Sequence, residues 1–357
     1  MKKSILSSSI ATTCLLIQTS ASAETTISNL GVIGPVYSDS ISLACGVSRD
    51  GTTVIGNSGK PSNLYNGFKW TAQAGLQAIE MPNGSSQTIA VSADGQSILA
   101  YSGNNWFRLT SSGQIQNIGP DNHGNSISGD GSTIVGATST GLPFFWTITG
   151  GAQVLNLSPD CRTSGACATN FDGSIIAGSI IWNSGGCNAF RWSQSNGLQL
   201  LGFNGSSNAI SGDGSTIVGR QYDSIQFHAC SWDSNGVQKD LGRLQTEAVA
   251  TSLTDTGKII VGYNSDYGGS NKNAFLWTAD LGMVNLHDYL ASTGVDMSHW
   301  TQLLKVSISG DGSTLAGSGF YEGGQERAFI ITGLNIPSPA ASALLALAGF
   351  VSRRRRA

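Results

Sequence analysis

Six aspartates recur in one setting, and carboxylates are the residues best equipped here for acid–base or metal chemistry. Asp50, Asp94, Asp130, Asp172, Asp213 and Asp311 each precede a glycine and follow a Ser or Asn two residues upstream. Hydrolysis by paired carboxylates needs the two acids about 5–10 Å apart. A hard cation needs several oxygens converging on one point. One aspartate per copy of a repeated unit supplies neither, because each copy carries its acid to a different place. Thr256 fills the same slot in one copy, so the slot accepts a neutral residue. Turn formation is the expected role, since Asp and Gly tolerate the positive φ of tight hairpins. The predicted turn residues are Asp50 with Gly51, Asp94 with Gly95, Asp130 with Gly131, Asp172 with Gly173, Asp213 with Gly214, Gly257, and Asp311 with Gly312.

Other chemistry-bearing residues are scattered. His123, His228, His287 and His299 fall in separate units, with no H-E-x-x-H spacing. No P-loop, dinucleotide fingerprint or nucleophile elbow occurs, and no cofactor is expected. Five cysteines follow residue 23: Cys45, Cys161, Cys167, Cys187 and Cys230. They lack the C-x-x-C spacing of a metal site. Cys161 and Cys167 are close enough in sequence to suggest a small disulfide-closed loop in an exported protein. Trp70, Trp106, Trp146, Trp192, Trp232 and Trp277 each end an apolar-rich segment, one per unit. Indoles stack on sugar rings in many binding sites, but one Trp at a fixed place in each unit is how a core between units is built.

The elements that position these residues follow from the repeat. Ile-Ser-Gly-Asp-Gly-Ser-Thr-Ile-Val-Gly stands unchanged at 127–136 and 210–219, and nearly unchanged at 308–317. Aligned on the glycine of the Asp-Gly step, the units begin at intervals of 44, 36, 42, 41, 43 and 55 residues. A period of about 42 without helical stripes matches a propeller blade. Each unit reads as strand, Asp-Gly turn, strand closed by a glycine, strand ending on an aromatic, glycine turn, and fourth strand. The seventh unit stops near Gly333, after its third strand. Ile27-Ser28-Asn29-Leu30-Gly31 copies the fourth-strand pattern of Ile115-Gln116-Asn117-Ile118-Gly119. The predicted fold is therefore all-β: a seven-bladed β-propeller with four antiparallel strands per blade, closed by the N-terminal strand completing the last blade. The longest interval carries Leu286 to Leu304, where apolar residues at i and i+4 predict a short helix.

Composition agrees with a turn-rich exported β protein: 47 glycines, 11% charged and 39% hydrophobic residues. A net charge of −3 argues against nucleic acid, which needs a concentrated basic face. Lys2 and Lys3 precede an apolar run and Ala21-Ser22-Ala23, so 1–23 reads as a signal peptide cut before Glu24. The predicted propeller occupies 24–334. Segment 335–357 holds Pro337 and Pro339, an apolar run, then Arg353, Arg354, Arg355 and Arg356. Its twelve apolar residues would span about 18 Å as a helix, against a hydrocarbon core of about 30 Å. Such a segment suits transient retention in a membrane with the arginines inside.

This tail resembles the PEP-CTERM sorting signals, with Ser338 where Glu is usual. The resemblance implies an exosortase-type enzyme as a transient partner. The repeats resemble the HAF repeats of bacterial extracellular proteins, whose named step stands here as Asn188-Ala189-Phe190-Arg191-Trp192, Asn273-Ala274-Phe275-Leu276-Trp277 and His228-Ala229-Cys230-Ser231-Trp232. That likeness, over about 25–333, implies a secreted or surface propeller of a Gram-negative-type bacterium and carries no catalytic residues to transfer. The expected function is a non-enzymatic interaction or structural module of the cell surface or matrix, with surface polysaccharide or envelope proteins as partners. Two alternatives stay open. One is a lectin-like propeller. The other is a sialidase-like glycoside hydrolase, since the turns resemble the Asp-box Ser-x-Asp-x-Gly-x-Thr-Trp but lack the residue between Asp and Gly.

Overall fold

A computed structural model describes residues 24–336, apart from 61, 62, 82, 83, 85, 120, 156, 158 and 159. Residues 1–23, expected to be a signal peptide, lie outside the described residues, as do Pro337, Pro339 and Arg353 to Arg356. The described residues form seven four-stranded antiparallel sheets, which is the seven-bladed propeller expected from the repeat. Blade 1 runs Ile41–Val47, Thr53–Lys60, Asn63–Thr71 and Gly75–Ala78. Blade 4 runs Cys161–Thr169, Ile175–Trp182, Cys187–Ser193 and Gly197–Phe203. Blade 7 takes Trp300–Ile308, Leu315–Tyr321 and Gln325–Thr332 from its own unit. Its fourth strand is Thr26–Gly31, paired antiparallel in the register Thr26 to Thr332, Ile27 to Ile331 and Asn29 to Phe329. The last and first strands of the ring are thus one sheet, and no edge is left where the array would otherwise end.

Alternation of strand direction gives the ring two unlike faces. The first–second and third–fourth turns emerge on one, here the turn face. The second–third loops and the connections between blades emerge on the other, the loop face. The last residues of the seven first strands surround the central channel on the turn face.

Within a blade the packing is set by a glycine and a phenylalanine. The glycine expected to close the second strand lies inside it, because the strand runs two to four residues further, and it sits opposite the third-strand phenylalanine in blades 1, 3, 4, 6 and 7: Gly56 with Phe68, Gly136 with Phe144, Gly178 with Phe190, Gly262 with Phe275, and Gly317 with Phe329. Those five rings are fully buried. A Cβ on Gly178 would lie 2.5 Å from the Phe190 ring, so the glycine is the space the ring occupies. The tryptophan two residues on caps the same core. It is buried at Trp146, Trp232 and Trp277 and half-buried at Trp70 and Trp192.

Trp106 departs from this pattern and corrects the alignment made from sequence. The equivalent tryptophans pair with the second-strand isoleucine or valine, as Ile134 with Trp146. In blade 2 that partner is Leu109, while Trp106 pairs with Tyr101 three residues earlier. Trp106 stacks instead on His123 of the next blade, centroids 5.8 Å apart. Asn104 at φ 65° and Gly103 at φ 54° make a tight loop there, and the short loop shifts the aromatic towards it.

The long interval before blade 7 forms the predicted helix, Leu286–Ser292. The Asn285 side chain caps it by accepting from the Asp288 N–H at 3.3 Å. Leu286 and Leu290 are buried with Val295, Met297 and Trp300 in the largest apolar cluster. The helix therefore fills the junction between blades 6 and 7.

Candidate functional site

The predicted turn residues each sit in a separate blade on the turn face. Ser48 Oγ donates to Asp50 Oδ1 at 2.6 Å, and Thr52 N–H donates to the same oxygen at 3.0 Å. Ser48 Oγ in turn accepts from Thr53 N–H at 2.9 Å. The same set recurs at Asp94, Asp130, Asp213 and Asp311. At Asp172 the serine is replaced by Asn170, whose Oδ1 accepts from Ile175 N–H. Partial burial pushes the Asp50, Asp130, Asp213 and Asp311 carboxyls up, but the serine and backbone donors outweigh it and hold them below the ordinary range. At Asp172 the Ser174 donors lead and act in the same direction.

Each turn glycine answers two demands. Gly51, Gly95, Gly131, Gly173, Gly214, Gly257 and Gly312 all have φ between 66° and 80°. A Cβ on Gly95 would also fall 2.5 Å from Thr53 Oγ1 in the preceding blade. The Thr of the repeated Asp-Gly-Ser-Thr is thus the seat for the next blade's turn. Cations fasten the same joint: Lys69 Nζ donates to Gly95 O at 3.1 Å, Arg108 Nε to Gly131 O at 2.7 Å, and Arg191 Nη1 to Gly214 O at 2.6 Å. Arg108 and Arg327 are buried at the seams between blades.

Between the Ser and the Asp of each turn lies one residue that the repeat leaves free, and these seven residues ring the channel mouth. They are Arg49, Ala93, Gly129, Phe171, Gly212, Asp255 and Gly310. Seven backbone hydrogen bonds of 2.8 to 3.4 Å pass from blade to blade onto their carbonyls, five donated by the ring residues themselves and two by the adjoining Asp130 and Asp213 N–H groups. Three large side chains then fold over the small ones. Arg49 Nε pairs with Asp255 Oδ2, and the guanidinium carbon lies 4.9 Å from the Phe171 centroid. A Cβ on Gly212 would meet Asp255 Oδ1 at 2.6 Å and Arg49 Nη1 at 2.7 Å. Gly212 therefore makes room for the pair. Burial pushes the Asp255 carboxyl up, with Asp213 and Asp311 adding to the effect, and Arg49 only partly offsets this. A cavity of about 150 Å³ remains. Sequence reasoning missed this site. Its signal is the one variable position inside an otherwise fixed motif, holding Arg, Phe and Asp in three copies and Ala or Gly in four.

The mouth offers one ion pair and one aromatic ring. Its carboxylate is engaged by Arg49, and the neighbouring acids are engaged by their own turns, so no paired acid and base face an open space. Among the described residues no group of three His, Cys, Asp or Glu is placed to hold a metal. The four histidines stay apart, each with its own partner. His228 lies between Asp223 at 2.6 Å and Asp240 at 3.2 Å on the loop face. His287 Nε2 meets Trp300 O at 2.9 Å, and His299 Nδ1 meets Glu322 Oε1 at 2.6 Å.

The Cys161–Cys167 disulfide is corrected. Both residues lie on one strand, Cys161–Thr169, and both thiols are free. Six residues of strand span roughly 20 Å, whereas a disulfide needs Cα atoms within about 7 Å. Burial pushes the Cys167 thiol up to about 11.

Among solved structures, the chain is similar to oligogalacturonate lyase from Vibrio parahaemolyticus, at 10% identity and TM-score 0.54 over 86% of this chain and 93% of that one. It is likewise similar to the Cps50 (Swd1) β-propeller domain of Myceliophteria thermophila, at 12% identity and TM-score 0.55 over 85% and 99%. TolB from Acinetobacter baumannii aligns at 16% identity and TM-score 0.47, over 69% of this chain and 63% of its own. No protein-family profile and no curated protein matches the sequence. At these identities the likeness concerns the fold alone: the chain is a β-propeller.

Proposed function

We propose that this chain is an exported propeller of the HAF-repeat type that works at the cell surface or in the extracellular matrix as a non-enzymatic interaction module. One observation carries the reading: the repeated ionisable residues are consumed in holding the ring together. The turn aspartates bind their own serines, Lys69, Arg108 and Arg191 bind the next blade's carbonyls, and Arg49 binds Asp255. What remains is a rigid closed disc with two broad faces, which suits presentation of a surface. The leader-like segment 1–23 and the Pro337, Pro339 and Arg353 to Arg356 pattern support export followed by exosortase-type sorting. Protease shaving of intact cells tests the location. Propeller peptides released from whole cells support the reading, and propeller peptides found only after lysis contradict it.

A lectin-like role is the second reading. The groove at the ring's closing seam favours it, because that groove joins aromatic rings to carboxylate side chains and the Asn29 amide beside the insertion that breaks the repeat.

A further inference from the structure

The closing seam holds a second, larger cavity, of about 310 Å³, between the N-terminal strand and the insertion before blade 7. That volume is at the lower end of small-ligand pockets, about 300–1,000 Å³. Trp300 forms its floor and is nearly fully buried. Tyr321 stands edge-on to Trp300, centroids 4.9 Å apart at 62°. His299 stacks on Tyr321 at 5.9 Å and 29°, and its Nδ1 is fixed by Glu322 at 2.6 Å. The rings are therefore held in place before any ligand arrives. Around them lie Glu24, Asn29 and Asp296. Asp296 Oδ1 accepts from Ser298 N–H at 2.9 Å, and the Ser298 donors hold its carboxyl below the ordinary range. No Lys or Arg lines the cavity.

We infer that this seam groove is a binding site for a sugar ring without acid groups, either neutral or amino-bearing. A pyranose offers an apolar C–H face to an aromatic ring and pairs of hydroxyls to a carboxylate or amide. Glu24 and Asp296 give the lining two carboxylates against the single α-ammonium that cleavage before Glu24 would add, so the balance stays acidic, disfavours uronate, sulfate and phosphate groups and accepts hydroxyl or ammonium donors. The site is single because it is built from the three features found once in the ring: the completing strand Thr26–Gly31, the helix insertion and the tryptophan at 300. The channel mouth differs on each count, having a smaller cavity and a cation already seated on its ring.

This inference rests on the binding-module reading and narrows it to one place and one ligand class. The test uses the mature protein from Glu24 onward, titrated with glucose oligomers, glucosamine oligomers and oligogalacturonate as probes. Glucose or glucosamine oligomers are expected to bind at least about tenfold more tightly than oligogalacturonate. Asp296→Asn and His299→Ala should each weaken that binding by about tenfold, the loss expected for one charge-assisted contact. Both residues are exposed, so unfolding curves of these variants should match the parent, and Phe171→Ala at the channel mouth should bind as the parent does. Binding unchanged in Asp296→Asn and His299→Ala would overturn the seam site and leave a lectin-like role standing elsewhere on the ring. Preference for oligogalacturonate would overturn the ligand class. Failure of all three probes would overturn the inference, while the export reading is decided separately by the shaving of intact cells.

Discussion

At the scale of single residues, the turn aspartates act through hydrogen bonds that exist only in the folded ring. Removing one acceptor leaves the Ser128 hydroxyl and the Ser132 N–H without their partner, so Asp130→Ala is expected to cost about 1 kcal/mol in urea unfolding. The sign of the pH effect follows from lowered carboxyl pKa values at Asp50, Asp130, Asp172, Asp213 and Asp311. Their stabilisation is full above the unfolded value of about 3.9 and is lost as pH falls through the folded values. Asp255 has the opposite sign, because its carboxyl is raised. Stability, read as the unfolding midpoint at each pH between about pH 5 and pH 2, should therefore fall with acid in the parent and fall less in Asp130→Asn. The turn role was legible in sequence because it repeats and because Thr256 replaces one acid. The Arg49, Phe171 and Asp255 cap was not, since its members come from blades 1, 4 and 6 and meet only after the ring has closed.

At the scale of elements, the blade is organised by a cross-strand pair that the sequence shows only as two separate habits, a glycine in one strand and a phenylalanine in the next. Registration puts them opposite each other, and each then explains the other. Phe190→Ala should cost about 3–5 kcal/mol, because the ring is fully buried and its space is bounded by backbone at Gly178. Gly178→Ala should also destabilise, since its Cβ would enter the Phe190 ring. Trp106→Ala should cost less than Phe190→Ala, because Trp106 is half-buried and lies off the repeat position. Thermal unfolding of the three variants checks that order. Trp106 misled the sequence alignment because it packs against a core cluster, as its counterparts do, but from a place three residues off the repeat position. The strand register separates the two places. Cysteine spacing misled for a related reason: six residues is a short loop in a turn but a long distance in a strand.

At the scale of the whole molecule, ring closure depends on six residues at the start of the propeller. The complementary deficit at its two ends was readable from sequence, because a missing fourth strand and a spare one carry the same apolar pattern. Without Thr26–Gly31 the strand Gln325–Thr332 becomes an exposed edge. A variant lacking these residues should associate in sedimentation velocity where the parent sediments as one species. The closed ring leaves function to the two faces and the seam. A leader and a sorting tail outside the ring would decide where those surfaces work. Intact-mass analysis of the protein recovered from the cell envelope or medium tests this account most directly. The account predicts a chain that begins at Glu24 and has lost Arg353 to Arg356. Recovery of a chain that still carries the leader and the four arginines would contradict it.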